Sequence, residues 1–281
     1  MSKSNAIKTF RDLLAFLTII PMGSGEEFVA TSAKFMFLFP LIGGLIGLFA
    51  ATYFQLSLLI ISSVLTFVNS FFQLPTMILL RLALAIMTLA FLLVLTGLQH
   101  FDGLVDLGNA IGLRNVEERR EAAHAWFVSY KGAFLAIFVE FVAFLGLFFL
   151  DAGFLYTFGA IIAAEVAAKL AMVTITWVGK STQKGLGSRF LEKAKGKRNV
   201  IAFVLSGSII LPLLGLAVNS WVGIFLGVIV ILGSFFVGVL MERVGKSVFG
   251  GVSGDMIGAT NETARAVTLV LLATLAGVIA F

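Results

Sequence analysis

The chain has 281 residues, 59% of them hydrophobic and only 12% charged, with a net charge of +5 and a mean hydropathy of +1.06. A soluble domain carries about 25% charged residues, so this chain has too little polar surface to coat a globule in water. It holds no cysteine and two histidines, which excludes thiol chemistry, disulfides and an all-histidine metal site; any metal would sit on oxygen ligands, as magnesium, manganese or calcium do.

The apolar runs are longer and less broken than the alternating strands of about ten residues in a transmembrane barrel. They predict an all-α, polytopic membrane bundle, because helices close their own backbone hydrogen bonds in lipid. The first 25 residues carry Lys3, Lys8 and Arg11 before a short apolar stretch, without a small-residue cleavage pattern. Ile7, Phe10, Leu14 and Leu17 share one helical face, so an interfacial helix ending at Pro21 is expected within a cytoplasmic segment, 1–31. Spans follow at 34–53, 76–98, 132–151, 154–178, 199–217, 221–241 and 264–281, about seven, with 56–72 a candidate eighth. The whole chain, 1–281, reads as a single membrane-embedded catalytic domain.

Loop charge sets the orientation. Segment 179–198 holds Lys180, Lys184, Arg189, Lys193, Lys195, Lys197 and Arg198 against Glu192 alone, a strong positive-inside signal. Counting spans from there places 99–131 and 242–263 on the same, cytoplasmic, side; Arg243, Lys246 and Arg265 add to the basic count. The net charge thus belongs to cytoplasmic loops, and no nucleic-acid partner is expected. A cytoplasmic N-terminus needs an even number of crossings before residue 99, so 56–72 is expected to lie in the outer interface or to re-enter. Gly43/Gly47 and Gly223/Gly227 have the spacing of close helix packing.

Several polar groups interrupt this pattern. In "GLQHFDGLVDLGNAIG", Asp102, Asp106 and Asn109 stand at i, i+4 and i+7, one helical face, beside His100 and Gly103. Two carboxylates one turn apart repel unless a cation lies between them, and a divalent ion held there can in turn hold phosphate oxygens. The alternative is a solvated helix end. In "GGVSGDMIGATNETARA", glycines surround Asp255, and Asn261 and Glu262 follow. Gly-rich backbone beside acids suits a metal–phosphate pocket; the plainer reading is a re-entry loop with a helix cap at Thr260 or Asn261.

Inside span 154–178, Glu165 and Lys169 at i, i+4 either neutralise each other or face a cavity, where Lys169 would take a phosphate charge. Glu140 lies in another span and requires a partner. Arg81 and Asp151 read as snorkelling to interfaces. Residues 114–131 read as an amphipathic cytoplasmic helix, with Glu117, Glu118, Arg119, Arg120 and Glu121 mostly as its solvated face and His124 in a surface or packing role.

Together these residues resemble the cobalamin synthase family, the adenosylcobinamide-GDP ribazoletransferases. The family pattern H-x-D-G-x-x-D-x-x-D-G is met by His100, Asp102, Gly103 and Asp106, with Asn109 and Ala110 at its last two places. G-G-x-[ST]-G-D-x-x-G-A-x-x-E is met by Gly250, Gly251, Ser253, Gly254, Asp255, Gly258, Ala259 and Glu262. "FPLIGGLIG" (39–47), after "LTIIP", resembles the family's opening. Two departures stand out. Asn109 replaces a third aspartate, and where the family has K-D-S-R-x-G this chain keeps Ser129 and Gly132 but has Val128 and Tyr130 at charged places, leaving Lys131 as the substitute cation.

The resemblance implies an enzyme of the last nucleotide-loop step of cobalamin assembly. Adenosylcobinamide-GDP and α-ribazole, or its 5′-phosphate, would give adenosylcobalamin, or its phosphate, and GMP, with Mg2+ as cofactor. On that reading Asp102, Asp106 and Asp255 bind the metal and Glu262 joins them in the catalytic set. His100, Asn109, Glu165, Lys169 and Asn261 contact substrate. The enzyme would be multi-pass in the cell membrane, in contact with lipid, its site facing the cytoplasm; a homo-oligomer is left open. Two other readings compete. CDP-alcohol phosphotransferases also gather aspartates at a membrane edge, but open D-x-x-D-G rather than D-G-x-x-D. In an ion-coupled transporter, Glu140, Glu165 and Lys169 would form a coupling path.

Overall fold

The computed structural model describes residues 3–22, 27–123, 125, 127–150, 153–181, 186–193, 196–218 and 220–279. His124, Asp151, Lys184 and Lys195 lie outside them. The described residues form helices without strands: α1 (Lys3–Leu17), α2 (Glu27–Lys34), a 3-10 turn (Met36–Leu38), α3 (Phe39–Asn69), α4 (Thr76–Leu95), α5 (Gln99–Ala110) and α6 (Val116–Ala123), then α7 (Tyr130–Phe149), α8 (Phe154–Val178), α9 (Leu186–Lys193), α10 (Asn199–Val218), α11 (Trp221–Phe249) and α12 (Gly254–Ile279).

Six of these helices are long and apolar enough to cross a membrane: the Met36–Asn69 stretch, α4, α7, α8, α10 and α11. Of the seventh expected span, residues 264–279 form the C-terminal part of α12 and 280–281 lie outside the described residues; the first half of the helix carries Asp255, Glu262 and Arg265. Outward faces are apolar. Phe134, Ile137, Phe138 and Phe141 line one exposed stripe of α7, the surface a helix offers to hydrocarbon rather than to water. The chain is a multi-pass membrane protein.

One expected boundary fails. Residues 34–53 and 56–72 are not a span and a separate interfacial segment, since α3 runs unbroken for 31 residues. At 1.5 Å per residue it is about 46 Å long. At the boundary between the two expected segments, Gln55 and Ser57 interrupt the hydropathy. No glycine or proline lies between Gln55 and Asn69, so nothing stops the i to i−4 ladder. With 56–69 part of α3, two helices of crossing length precede residue 99, and the odd count disappears. Segment 242–263 also differs in form: α11 continues to Phe249 and α12 starts at Gly254. In α1, Leu13, Leu14 and Leu17 are buried while Ile7 and Phe10 are exposed; its C-terminal half packs onto the bundle.

The axis of the bundle is α8, in contact with α3, α10, α11 and α12; from Gly159 to Thr176 every residue is buried. Its run "GAIIAAEVAAKLA" is alanine-rich, and small side chains let neighbouring backbones approach. From α3, Gly43 lies against the Glu165 carbonyl and Lys169, and Gly47 against the Ile162 backbone. Here the paired glycines do what their spacing suggests.

The polar ends of the helices gather at one end of the bundle. Val252 N donates to Lys180 O at 2.9 Å, joining the start of the basic segment to the entry of α12. The helix expected over 114–131 is not continuous: α6 covers Val116–Ala123 and residues 130 and 131 already belong to α7. Arg119 and Arg120, expected on a solvated face, instead cap α11. Arg119 Nη1 donates to Ser247 O at 2.9 Å and Arg120 Nη2 to Phe249 O at 2.8 Å. Cations are stabilised there by the unsatisfied carbonyls and the negative end of the helix dipole.

Candidate active site

The site begins where α4 gives way to α5. Gly97 (φ 70°) and Leu98 (φ 60°) are both left-handed, and Leu98 is the only non-glycine residue with positive φ among the described residues. A leucine there is strained by about 1–2 kcal/mol. The reversal releases α5 from the α4 direction and seats it against α12 and α7.

Gly103 sets the closeness of α5 and α12. A Cβ at that position would strike the Asp255 carbonyl oxygen and lie 3.0 Å from the Ala259 nitrogen. Gly103→Ala is therefore expected to overpack the junction by about 1–3 kcal/mol and to separate the two acid-bearing helices. A thermal melt in detergent indistinguishable from the parent would refute that contact.

This approach makes neighbours of Asp102, Asp106 and Asp255. Asp102 is exposed, whereas Asp106 and Asp255 are half-buried. The Asp106 carboxyl is pushed up to about 7, first by burial and then by the Asp255 and Asp102 charges. Asp255 lies in the first turn of α12, where the helix dipole favours a carboxylate. Ser253 closes that end: its Oγ accepts from Met256 N (3.3 Å) and donates to Asp255 Oδ2 (3.2 Å). The cap is thus Ser253, not Thr260 or Asn261, and the segment is helix rather than a re-entry loop. Among the described residues, no three acidic or histidine side chains converge tightly enough to hold a metal ion by themselves. The donor set is nonetheless all oxygen, and its mutual repulsion is what a divalent cation relieves.

Beneath the acids lies a buried ionic network linking α8 to α12. The Arg265 Nε donates to Glu165 Oε1 and its Nη1 to Glu262 Oε2; Nη2 reaches Glu165 Oε2 at 3.3 Å. Lys169 Nζ donates to Asn261 Oδ1 at 2.6 Å and stands 3.6 Å from Glu165 Oε2. Asn261 Nδ2 donates to Glu262 Oε1 at 3.0 Å. From α7, the buried Glu140 neighbours Glu262 and Arg265. His100 Nδ1 sits 3.6 Å from Glu262 Oε1. Burial, then the Lys169 and Arg265 charges, push the His100 imidazole pKa well below its ordinary range.

The structure thus sorts the expected residues into two tiers. Asp102, Asp106 and Asp255 form an accessible rim. His100, Glu165, Lys169, Asn261 and Glu262 form a buried tier, in which Lys169 is already paired with Glu165 and Asn261. Asn109 belongs to neither. Its Nδ2 donates to Phe127 O (3.0 Å) and its Oδ1 accepts from Ser129 N (2.9 Å), so both ends of its amide brace the entry to α7. Ser129 caps that helix by accepting from Gly132 N at 3.0 Å, and Lys131 Nζ donates to Ile111 O at 3.2 Å. Arg265 was not among the expected site residues, because it was read as a loop charge. Its spacing of i+3 from Glu262 inside an apolar helix was the available signal.

An all-helical, multi-pass membrane protein with an acidic rim at one polar end is the class these features define. The chain belongs to the cobalamin-5-phosphate synthase family, whose model matches residues 9–273. It is similar to the adenosylcobinamide-GDP ribazoletransferase of Halorubrum lacusprofundi, 30% identical over 276 residues, 94% of this chain and 95% of that one. It is likewise similar to those of Methanocella arvoryzae (31% over 193 residues, 66% and 72%) and Methanococcoides burtonii (27% over 282 residues, 96% and 93%). No solved structure matches the chain. Membership decides among the three readings of the sequence in favour of the first.

Proposed function

We propose that this chain catalyses the last step of cobalamin nucleotide-loop assembly. Adenosylcobinamide-GDP and α-ribazole, or its 5′-phosphate, become adenosylcobalamin, or its 5′-phosphate, and GMP. The observation that carries this reading is the meeting of two acid-bearing helices, with Gly103 against the Asp255 backbone. In the transfer, the ribazole 3′-hydroxyl attacks the phosphoryl attached to the cobinamide. A P–O bond forms, the pyrophosphate P–O bond breaks, and GMP departs.

Asp102, Asp106 and Asp255 would hold Mg2+, which when bound neutralises the pyrophosphate and aligns it for in-line attack. Magnesium is commonly held by one or two carboxylates with substrate phosphates completing its shell. A rim of carboxylates that does not chelate by itself suits that arrangement. A carboxylate left free at the rim takes the proton of the attacking hydroxyl. The buried tier fixes α12 on α8 so that Asp255 keeps its place opposite Asp106. Glu262, on that tier, orients rather than ligates. Basic residues share this end of the bundle, which supports a site facing the cytoplasm.

The test is direct. Purified protein supplied with both substrates and Mg2+ should release GMP and form the cobalamin product in equal amounts. EDTA should abolish release, and excess Mg2+ should restore it. Product formed at full rate in EDTA would remove the metal from the reading; no product under any condition would remove the reaction.

A further inference from the structure

Under the rim, the junction of α7, α8 and α12 does not balance its charge. Glu140, Glu165 and Glu262 meet Lys169 and Arg265 there, and all five side chains are buried. Three carboxylates against two cations leave one negative charge in the bundle interior, where an unpaired ion is very costly. The excess falls on Glu140. Glu165 and Glu262 both accept from Arg265, and Lys169 stands beside Glu165, whereas neither oxygen of Glu140 has a hydrogen-bond partner.

Helix register puts that carboxyl against Glu262. α7 and α12 both start on α5, with Gly132 against Asn109 and the Asp255 carbonyl against Gly103, and both run from there into the bundle. Farther along, Gly146 packs on Leu269. Equal steps back from that contact reach Glu140 on one helix and Thr263, the neighbour of Glu262, on the other. Glu140 is within hydrogen-bond reach of Glu262. Two carboxylates are acceptors only and repel at that range; one proton turns the pair into a donor and an acceptor.

We infer that the junction holds one more proton, carried by the Glu140 carboxyl and donated to Glu262, so that a carboxyl–carboxylate hydrogen bond ties α7 to α12. The proton brings the junction to neutrality. His100, from α5, is the rival seat. Its Nδ1 stands 3.6 Å from Glu262 Oε1, beyond hydrogen-bond length, and the Lys169 and Arg265 charges oppose an imidazolium. Glu140 is thus a positioning residue: through Glu262 and Arg265 it fixes the helix that presents Asp255. This proton belongs to the resting protein and needs no substrate, so it stands apart from the reaction proposed above.

Infrared spectra of the purified protein in detergent test it. Above the Asp106 value of about 7, wild type minus Glu140→Gln should show the carbonyl stretch of a protonated carboxylic acid, shifted down in D2O. Glutamine offers Glu262 an N–H in place of the O–H without changing the charge, so Glu140→Gln should melt with wild type at neutral pH. Glu140→Leu, which fills the space without a donor, should melt lower. The wild-type melting temperature should fall as pH rises, because the folded protein holds a proton that the unfolded chain has already given up. The slope for Glu140→Gln should be shallower. The other charged groups around α7 are common to both proteins: His100, Asp102 and Asp106 on α5, Glu165 and Lys169 on α8, Asp255, Glu262 and Arg265 on α12, and Arg81 on α4. Three results overturn the inference. One is a difference spectrum without the acid band. Another is a Glu140→Gln protein that melts above wild type, as removal of an unpaired charge would make it. The third is a melting temperature raised by sodium over choline chloride in wild type and not in Glu140→Gln, which would put a metal cation in the proton's place.

Discussion

Arg265→Met is expected to destabilise the protein by about 3–5 kcal/mol, the cost of leaving buried charges uncompensated. The side chain is fully buried, and its guanidinium donates to Glu165 on α8 and Glu262 on its own helix. Glu140 lies beside them. Without Arg265, three buried acids share Lys169 as their one fully buried cationic neighbour. Methionine fills much of the volume, so the loss is electrostatic rather than steric. Two companions isolate that cause. Arg265→Lys keeps a charge but not the planar fork that meets two carboxylates, and should melt between parent and Arg265→Met. Adding Glu165→Gln to Arg265→Met removes one stranded charge and should recover part of the loss. Thermal melts in detergent read all three. An Arg265→Met protein that melts with the wild type would show that the network does not join α8 to α12.

Asp106→Asn is expected to separate function from folding. Asp106 has like charges on both sides, Asp102 on its own helix and Asp255 across the junction. An amide of the same shape removes repulsion from the folded state, so in the presence of EDTA the variant should melt at or above the wild type. GMP release should nevertheless fall by at least about a hundredfold, beyond the 10–100-fold typical of outer partners of a metal site. The opposite pattern, a lower melting temperature with release retained, would make Asp106 a structural residue and remove it from the rim. The contrast with Arg265 is instructive. One charge is held because the fold needs it; the other is held although the fold would be easier without it, which is common for groups kept for chemistry.

Much of this was legible in the sequence because the physics is local. Long apolar runs must be helices in lipid, and α8 falls at Phe154–Val178 as its hydropathy predicts. Asp102 and Asp106 one turn apart, and Asp255 in a glycine-rich entry, announced themselves as acids where acids are expensive. What escaped depends on distance or direction. Hydropathy treats Gln55 and Ser57 as a break, but the backbone ladder of α3 is indifferent to them. Arg265 counted as one more basic residue until its partner Glu165, 100 residues away, was in place. Arg119 and Arg120 looked solvated because the carbonyls they cap lie nearly 130 residues downstream. Asn109 stands where the family pattern has a third aspartate, and its amide is committed to the backbone of Phe127 and Ser129.

The length of α3 has a consequence for the surroundings of the protein. A rod of about 46 Å exceeds the roughly 30 Å hydrocarbon thickness of an average bilayer. Its far end is still greasy, with Leu59, Ile60, Val64 and Phe67 exposed. Such a helix must lean well beyond the usual tilt of about 20°, or the adjoining lipid must stretch to meet it, and either adjustment costs a fraction of a kcal/mol per ångström of mismatch. Longer acyl chains ease that penalty, so this one helix makes the thickness of the host membrane part of the protein's own stability.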